Sequence, residues 1–214
     1  MTPSRPRLAL ALAAPAAALV ACGSSSSSSG DVGPADASYD ATDAGGPCHA
    51  VAQQHPIEGY AHVPVCSVVT YDTNPPSSGN HYTVWAAYKT YTTPVPEGFW
   101  VHDLEHGAVV LTYNCPTGCA AELAQAQAMI DALPADPLCT SAGGTVTRRV
   151  VMTPDPKLDV PFAASAWGWT LRADCFDATA FRAFSIDHYD QGREVTCADG
   201  QDVSTGLPGN CGEE

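Results

Sequence analysis

The chain has 214 residues, with 23 Asp or Glu, nine Lys or Arg and seven His, for a formal net charge of −14 at pH 7. Such an acidic surface repels polyanions, so nucleic acid and anionic membrane surfaces are excluded as natural partners, whereas cations are compatible with it.

Residues 1–21 read as a secretory signal. Arg5 and Arg7 form a short basic start, and Leu8 to Ala18 is an Ala/Leu stretch interrupted by Pro15, too short to span a bilayer as a stable helix. Leu19-Val20-Ala21-Cys22 resembles the lipobox of bacterial lipoproteins, in which cleavage before the cysteine leaves it lipidated. A plain secreted protein cut near Ala21 is the alternative. Gly23 differs from the aspartate of the usual inner-membrane retention signal. The expected location is therefore the cell envelope, lipid-anchored through Cys22, on the outer membrane where the cell has one. Without Arg5 and Arg7, seven basic residues face 23 acidic ones, a net charge of about −16.

Residues 22–47 are Ser, Gly, Asp and Ala with Tyr39 as the one aromatic. That composition has too little apolar surface to offset the entropy of ordering, so a lipidated, disordered tether is expected. Residues 48–212 then form a globular domain large enough for a real core.

Eight of the nine cysteines lie in that part. In an extracytoplasmic chain an even set reads first as disulfides. Proximity in the sequence suggests Cys48 with Cys66, Cys115 with Cys119, Cys139 with Cys175, and Cys197 with Cys211.

Residues 49–66 carry His49, His55 and His62 among Pro and Gly and read as extended chain, followed by a short strand at Ser67–Tyr71. Asn74 to Tyr82 is a turn with no helical option through Pro75 and Pro76. It sets His81 ahead of Tyr82, Trp85, Tyr88 and Tyr91. Alone, such a histidine is a surface loop residue, and such an aromatic group is core.

Trp100 to Tyr113 holds two histidines and two carboxylates, His102, Asp103, Glu105 and His106, and then runs into an apolar β-branched stretch. On a helical turn His102 and His106 share a face at about 5–6 Å and can hold one ion. On a strand they would lie about 13 Å apart, beyond any shared ion. A metal reading therefore needs a helical turn ended by Gly107. Otherwise the segment is a polar turn with each histidine hydrogen-bonded to backbone or carboxylate.

Ala120 to Leu133 has the clearest helical pattern, with Leu123, Ala126, Ile130 and Leu133 on one face and Pro134 as its stop. Val146–Thr153 and Ala163–Arg172 read as strands separated by a turn at Pro154–Lys157. Ala178–Tyr189 reads as a second helix anchored by Phe181, Phe184 and Ile186, before a Gly- and Asp-rich tail. The expected fold is a single α/β domain with a mixed sheet and two main helices, disulfide-stabilised, for which a thioredoxin-like arrangement is one form.

Pro75 to Tyr82, His102 to Gly107 and Ser165 to Trp169 together resemble the bacterial domain-of-unknown-function family numbered 3105, over about residues 58–190. The resemblance implies an extracytoplasmic, often membrane-anchored domain whose characteristic histidines fall on His81, His102 and His106, and implies no reaction. More locally, Thr112 to Cys119 before an Ala/Leu helix, with Val150 to Pro156 after it, is similar to the Sco-type copper chaperones of the thioredoxin-like fold. That likeness implies a copper-gripping thiol pair at Cys115 and Cys119. Here Ala120 replaces the family's proline and His188 is the only histidine downstream. A structural disulfide closing a tight loop is the competing reading.

The expected function is an extracytoplasmic metal-binding domain for metal handling or sensing, with a copper or zinc ion held by His81, His102 and His106. Glu105 or Asp103 would be a ligand or the partner that orients an imidazole, and Met152 a weaker candidate better placed in the core. The alternative is a non-catalytic envelope interaction module without metal. A lesser one is a zinc hydrolase, since His102 to His106 fits H-x-x-E-H with Glu105 as general base. Whether the chain is an enzyme, and which protein it meets, the sequence leaves open.

Overall fold

The computed structural model describes residues 48–204 and the backbone of Asp36 and Ala37. The expected signal peptide at 1–21, the expected lipidation site Cys22, most of the expected tether at 22–47, and Cys211 lie outside the described residues.

The elements in chain order are β1 (Asp36–Ala37), β2 (Ala50–Gln54), β3 (His62–Val63), β4 (His81–Tyr82), α1 (Glu97–Glu105), β5 (Val109–Tyr113), α2 (Ala120–Asp131), α3 (Pro137–Ala142), β6 (Val150–Pro154), β7 (Phe162–Ala166), β8 (Trp169–Ala173) and α4 (Ala178–His188). The main sheet has the order β1-β2-β8-β7-β5-β6, in which only β5 and β6 are parallel. Parallel neighbours need a crossover, and α2 with α3 supplies it. The segment expected as one strand at Ala163–Arg172 is instead the β7–β8 hairpin. It turns at Gly168, whose φ of +75° is a left-handed conformation that glycine adopts without strain.

Strand β5 is a continuous Val/Leu run between two neighbours, and alternate residues feed opposite faces. Val109 and Leu111 join Met152, Ala126, Met129, Phe181 and Phe184 in one apolar cluster under α2 and α4. Val110 and Val151 join Trp100, Val101, Leu104 and Tyr91 in a second cluster under α1. The result is a mixed α/β fold with helices on both faces. In chain order β5-α2-α3-β6 is followed by the β7–β8 hairpin and α4. Among the described residues no helix is long and apolar enough to cross a membrane.

Two further expectations differ from the structure. Ser67–Tyr71 is loop, with Val68 76% exposed, because the Ser67 N–H turns back to the Pro64 carbonyl. Ile186 is 45% exposed rather than an anchor of α4, since Phe181 and Phe184 already fill the inward face.

Cys115 pairs with Cys119 as expected, but the other proximity pairings fail: Cys48 bonds Cys175 and Cys139 bonds Cys197. The cause is strand register. Ala50 lies opposite Ala173 in the antiparallel β2–β8 pair, which brings Cys48 beside Cys175 at a Cα separation of 5.3 Å. Cys66 is disulfide-bonded as well.

Arg149, just before β6, is a wholly buried cation. Its Nε donates to Asp136 Oδ2 at 2.8 Å, and its other nitrogens donate to Asp190 and to the carbonyl of His106. The Tyr189 hydroxyl closes the network, donating to Asp136 Oδ2 at 2.7 Å and accepting the Arg149 N–H at 2.8 Å. Burial alone would raise the Asp136 carboxyl, but its bonds from Tyr189, Arg149 and the Leu138 N–H hold it below the usual range. Removing one partner of a buried ion pair typically costs about 3–5 kcal/mol because the other charge is stranded. Arg149→Met is expected to lower the unfolding free energy by about that amount in urea titration. A loss under about 1 kcal/mol would show the network to be dispensable.

Candidate metal centre

Three separate segments build the site. Strands β3 and β4 form a two-stranded parallel ribbon in which His62 and His81 are direct partners. Bonds from the Gly79, His81 and Thr83 N–H groups to the Gly59, Ala61 and Val63 carbonyls, at 3.1, 3.1 and 3.2 Å, fix that register. The two imidazoles therefore stand side by side, with ring centroids 4.9 Å apart.

Helix α1 supplies the rest. It is buried from Gly98 to Glu105 because it is packed between the sheet and the ribbon. Gly98 permits the approach: a Cβ there would stand 2.8 Å from the Tyr82 ring. The helix ends in a Schellman motif at the glycine expected to stop it. The Ala108 N–H bonds the Asp103 carbonyl at 3.0 Å and the Gly107 N–H bonds the Leu104 carbonyl at 2.9 Å, with Gly107 at φ +85°. His102 and Glu105, three apart, share one helical face.

His62, His81, His102 and Glu105 each offer one ligand atom, and these four atoms all lie within 4.8 Å of one another. His102 is 4.7 Å, centroid to centroid, from both His62 and His81. His81 and Glu105 are fully buried and His102 nearly so, while the His62 side chain is 43% exposed and forms the open side.

Hydrogen bonding fixes the tautomers. His81 Nδ1 lies 2.8 Å from the Gly79 carbonyl and His102 Nδ1 lies 2.7 Å from the Tyr82 carbonyl. A carbonyl only accepts, so each Nδ1 carries the proton and each neutral ring keeps a lone pair on Nε2. The Nε2 of His81 faces Glu105 Oε2 at 3.0 Å, and His62 Nε2 lies 3.6 Å from the same oxygen. Burial, with the neighbouring His106 and His81 rings, lowers His102 to about 3. Burial also lowers His81, outweighing its bonds to Gly79 and Glu105. Neutral imidazoles whose far nitrogen is tied to a carbonyl are the arrangement metal-ligating histidines adopt. The cluster can hold a metal ion, with three imidazoles and one carboxylate as donors.

Of the residues singled out from sequence, His81, His102 and Glu105 come together in this group. His106, the C-cap of α1, is outside it, and His62 stands in the third imidazole position. The His106 ring lies 4.5 Å from His102 and 4.7 Å from Trp85, and burial lowers it to about 4. Asp103 is fully buried outside the group, and burial pushes its carboxyl well above the usual range. Met152 lies in the apolar cluster on the other face of the sheet. Cys115 and Cys119 form a disulfide at the start of α2, and His188 is stacked on Trp169 at 4.3 Å.

Sequence reasoning missed His62 and Arg193. Arg193 Nη1 donates to Glu105 Oε1 at 3.2 Å. Nothing local marks either residue, since both reach the site through long-range pairing. As for the H-x-x-E-H pattern, Glu105 ends the helix with Oε2 among the donors, whereas a general base must stay free of the ion.

The lowered histidines give the apo domain a defined acid response. Below an unfolded pKa of about 6.5 the unfolded chain takes up protons that native His102 and His106 refuse until about pH 3 and 4. Their neutral burial is therefore fully tolerated above pH about 6.5, and stability falls as pH drops toward 4, by up to about 1.4 kcal/mol per pH unit for each ring. Urea midpoints of metal-free protein at pH 7.5, 6 and 5 are expected to fall in that order, with a flatter profile when His102 and His106 are both replaced by Gln.

Comparison with curated proteins finds no match, and neither does comparison with solved structures. A family model described as "Protein of unknown function (DUF3105)" matches residues 62–201, a span that begins at His62 and takes in every member of the histidine–glutamate cluster and Arg193. The chain belongs to that family.

Proposed function

We propose that this protein is an extracytoplasmic, lipid-anchored metal-binding domain that holds one transition-metal ion, copper(II) or zinc(II), on His62, His81, His102 and Glu105, for metal handling or sensing. The observation that carries the reading is the convergence of one ligand atom each from His62, His81, His102 and Glu105 within 4.8 Å of one another, with His81 Nε2 and a Glu105 oxygen 3.0 Å apart and both residues fully buried. At that distance the nitrogen and the oxygen share either a proton or a metal ion. With the imidazole pKa lowered, a proton is a poor candidate and a metal ion a good one.

The donor set narrows the ion. Three imidazoles and a carboxylate suit Zn²⁺ and Cu²⁺, whereas Cu⁺ prefers sulfur, and every described cysteine is disulfide-bonded. Four protein donors close a tetrahedral zinc site, which favours holding an ion over turning over a substrate. Once bound, the ion would supply positive charge to the buried carboxylate and tie the β3–β4 ribbon to α1. Envelope localisation is supported by Arg5, Arg7, the apolar stretch and Cys22, and by disulfides that persist in oxidising compartments.

The mature chain is expected to take up about one equivalent of Zn²⁺ or Cu²⁺ at neutral pH, with a rise in unfolding midpoint as ligand concentration grows. His62→Ala, His81→Ala and His102→Ala should each abolish stoichiometric uptake, while His106→Ala retains it. Undiminished uptake in a His81→Ala/His102→Ala variant, read by elemental analysis after desalting, would remove the proposal.

A further inference from the structure

After α4 the chain turns back as an arm over the C-terminal end of α1. The Asp190 N–H bonds the Gly107 carbonyl and the Glu194 N–H bonds the Glu105 carbonyl, both at 2.9 Å. Between them Gly192 packs so closely that a Cβ would stand 2.2 Å from Glu105 O and Gly107 N. The Cys139–Cys197 disulfide anchors the arm to α3. This strapping delivers one side chain to the cluster.

That side chain is Arg193. Its Nη1 lies 3.2 Å from Glu105 Oε1 and 2.7 Å from Glu194 Oε1, and its guanidinium centre sits 4.0 Å over the Tyr60 ring. Glu105 is thereby divided between two tasks. Oε1 is held by the guanidinium, and Oε2 faces His81 and His62. A carboxylate can bind a metal through one oxygen or two, and the choice changes the coordination number.

We infer that Arg193 is a positioning residue that keeps Glu105 a one-oxygen ligand and so holds the centre four-coordinate. The inference rests on the metal-binding reading proposed above. Stacking on Tyr60 and pairing with Glu194 hold the guanidinium in place, and the backbone bonds of the arm set its distance from α1. A lysine at 193 keeps the charge but lacks the flat guanidinium that lies over the Tyr60 ring while its Nη1 serves both Glu105 and Glu194.

Cobalt(II) is the probe, because its visible absorption is stronger in a four-coordinate site than in one with more ligands. Wild-type mature chain with one equivalent of Co²⁺ should give the strong four-coordinate bands. Arg193→Ala should lose most of that intensity and bind Zn²⁺ about 10–100-fold more weakly, while Arg193→Lys recovers only part of each. The Arg193 side chain is 42% exposed, so both variants should keep the wild-type circular dichroism. A wild-type chain that takes up no Co²⁺ or Zn²⁺ would overturn the metal reading itself. Uptake by wild type with an unchanged spectrum and affinity in Arg193→Ala would overturn the role of Arg193 alone. A spectrum fully restored by lysine would also overturn it, reducing the residue to a bare charge.

Discussion

A buried polar group without partners is costly, and Glu105 has no access to water. Its surroundings answer that cost from two directions. Arg193 reaches one oxygen from the C-terminal arm, and the His81 and His62 nitrogens converge on the other. Burial disfavours the protonated forms of the His81 and His102 rings, which weakens the positive charge they can offer Glu105. On the proposed reading an ion would complete the balance, so that reading draws on the geometry more than on the count of histidines.

Bringing these groups together constrains backbone far from the chemistry. Gly98 lets the helix reach the ribbon, Gly107 ends it, and Gly192 lets the arm cross that end; each is a close approach or a positive φ that a side chain would oppose. Arg149 links the same region to the sheet, since it bonds the His106 carbonyl, Asp136 before α3, and Asp190 on the arm. One buried cation thus fixes the helix terminus, the start of β6 and the origin of the arm together. The cluster sits on the face of the sheet opposite α2 and α4, so the larger apolar core beneath those helices supports it without taking part.

What the sequence disclosed follows the range of the interactions involved. Helices α2 and α4 and strand β5 are set by local pattern, and all three were legible. The helical turn at His102 with its stop at Gly107 was one of two readings that the four-residue spacing of His102 and His106 left open, and the glycine was the local signal for it. His81 became a candidate through the family resemblance. His62 had no such marker. It is a ligand candidate only because the parallel register sets it beside His81, and a ribbon of two residues per strand leaves no periodicity to detect. The disulfides failed for the same reason: Cys48 and Cys175 are 127 residues apart and meet through β2 and β8, which no spacing rule could announce. Ile186 was misplaced because the apolar stripe of α4 is narrow and two phenylalanines already fill it.

The cysteine bonding also bears on the kind of chemistry the fold can host. A soft monovalent ion needs thiolate or thioether donors. Here each described cysteine is committed to a disulfide, and Met152 is enclosed in the core on the other side of the sheet. What remains for a metal is imidazole and carboxylate, donors that resist oxidation and stay in their binding state at neutral pH because burial keeps the His81 and His102 rings unprotonated. The Cys115–Cys119 pair closes the loop ahead of α2, while the histidine–glutamate cluster lies elsewhere along the chain, on the ribbon and the helix terminus, with Arg193 of the arm beside it. The disulfides hold the α2, α3 and β2–β8 segments in place, while the histidine–glutamate cluster is built on the β3–β4 ribbon and α1.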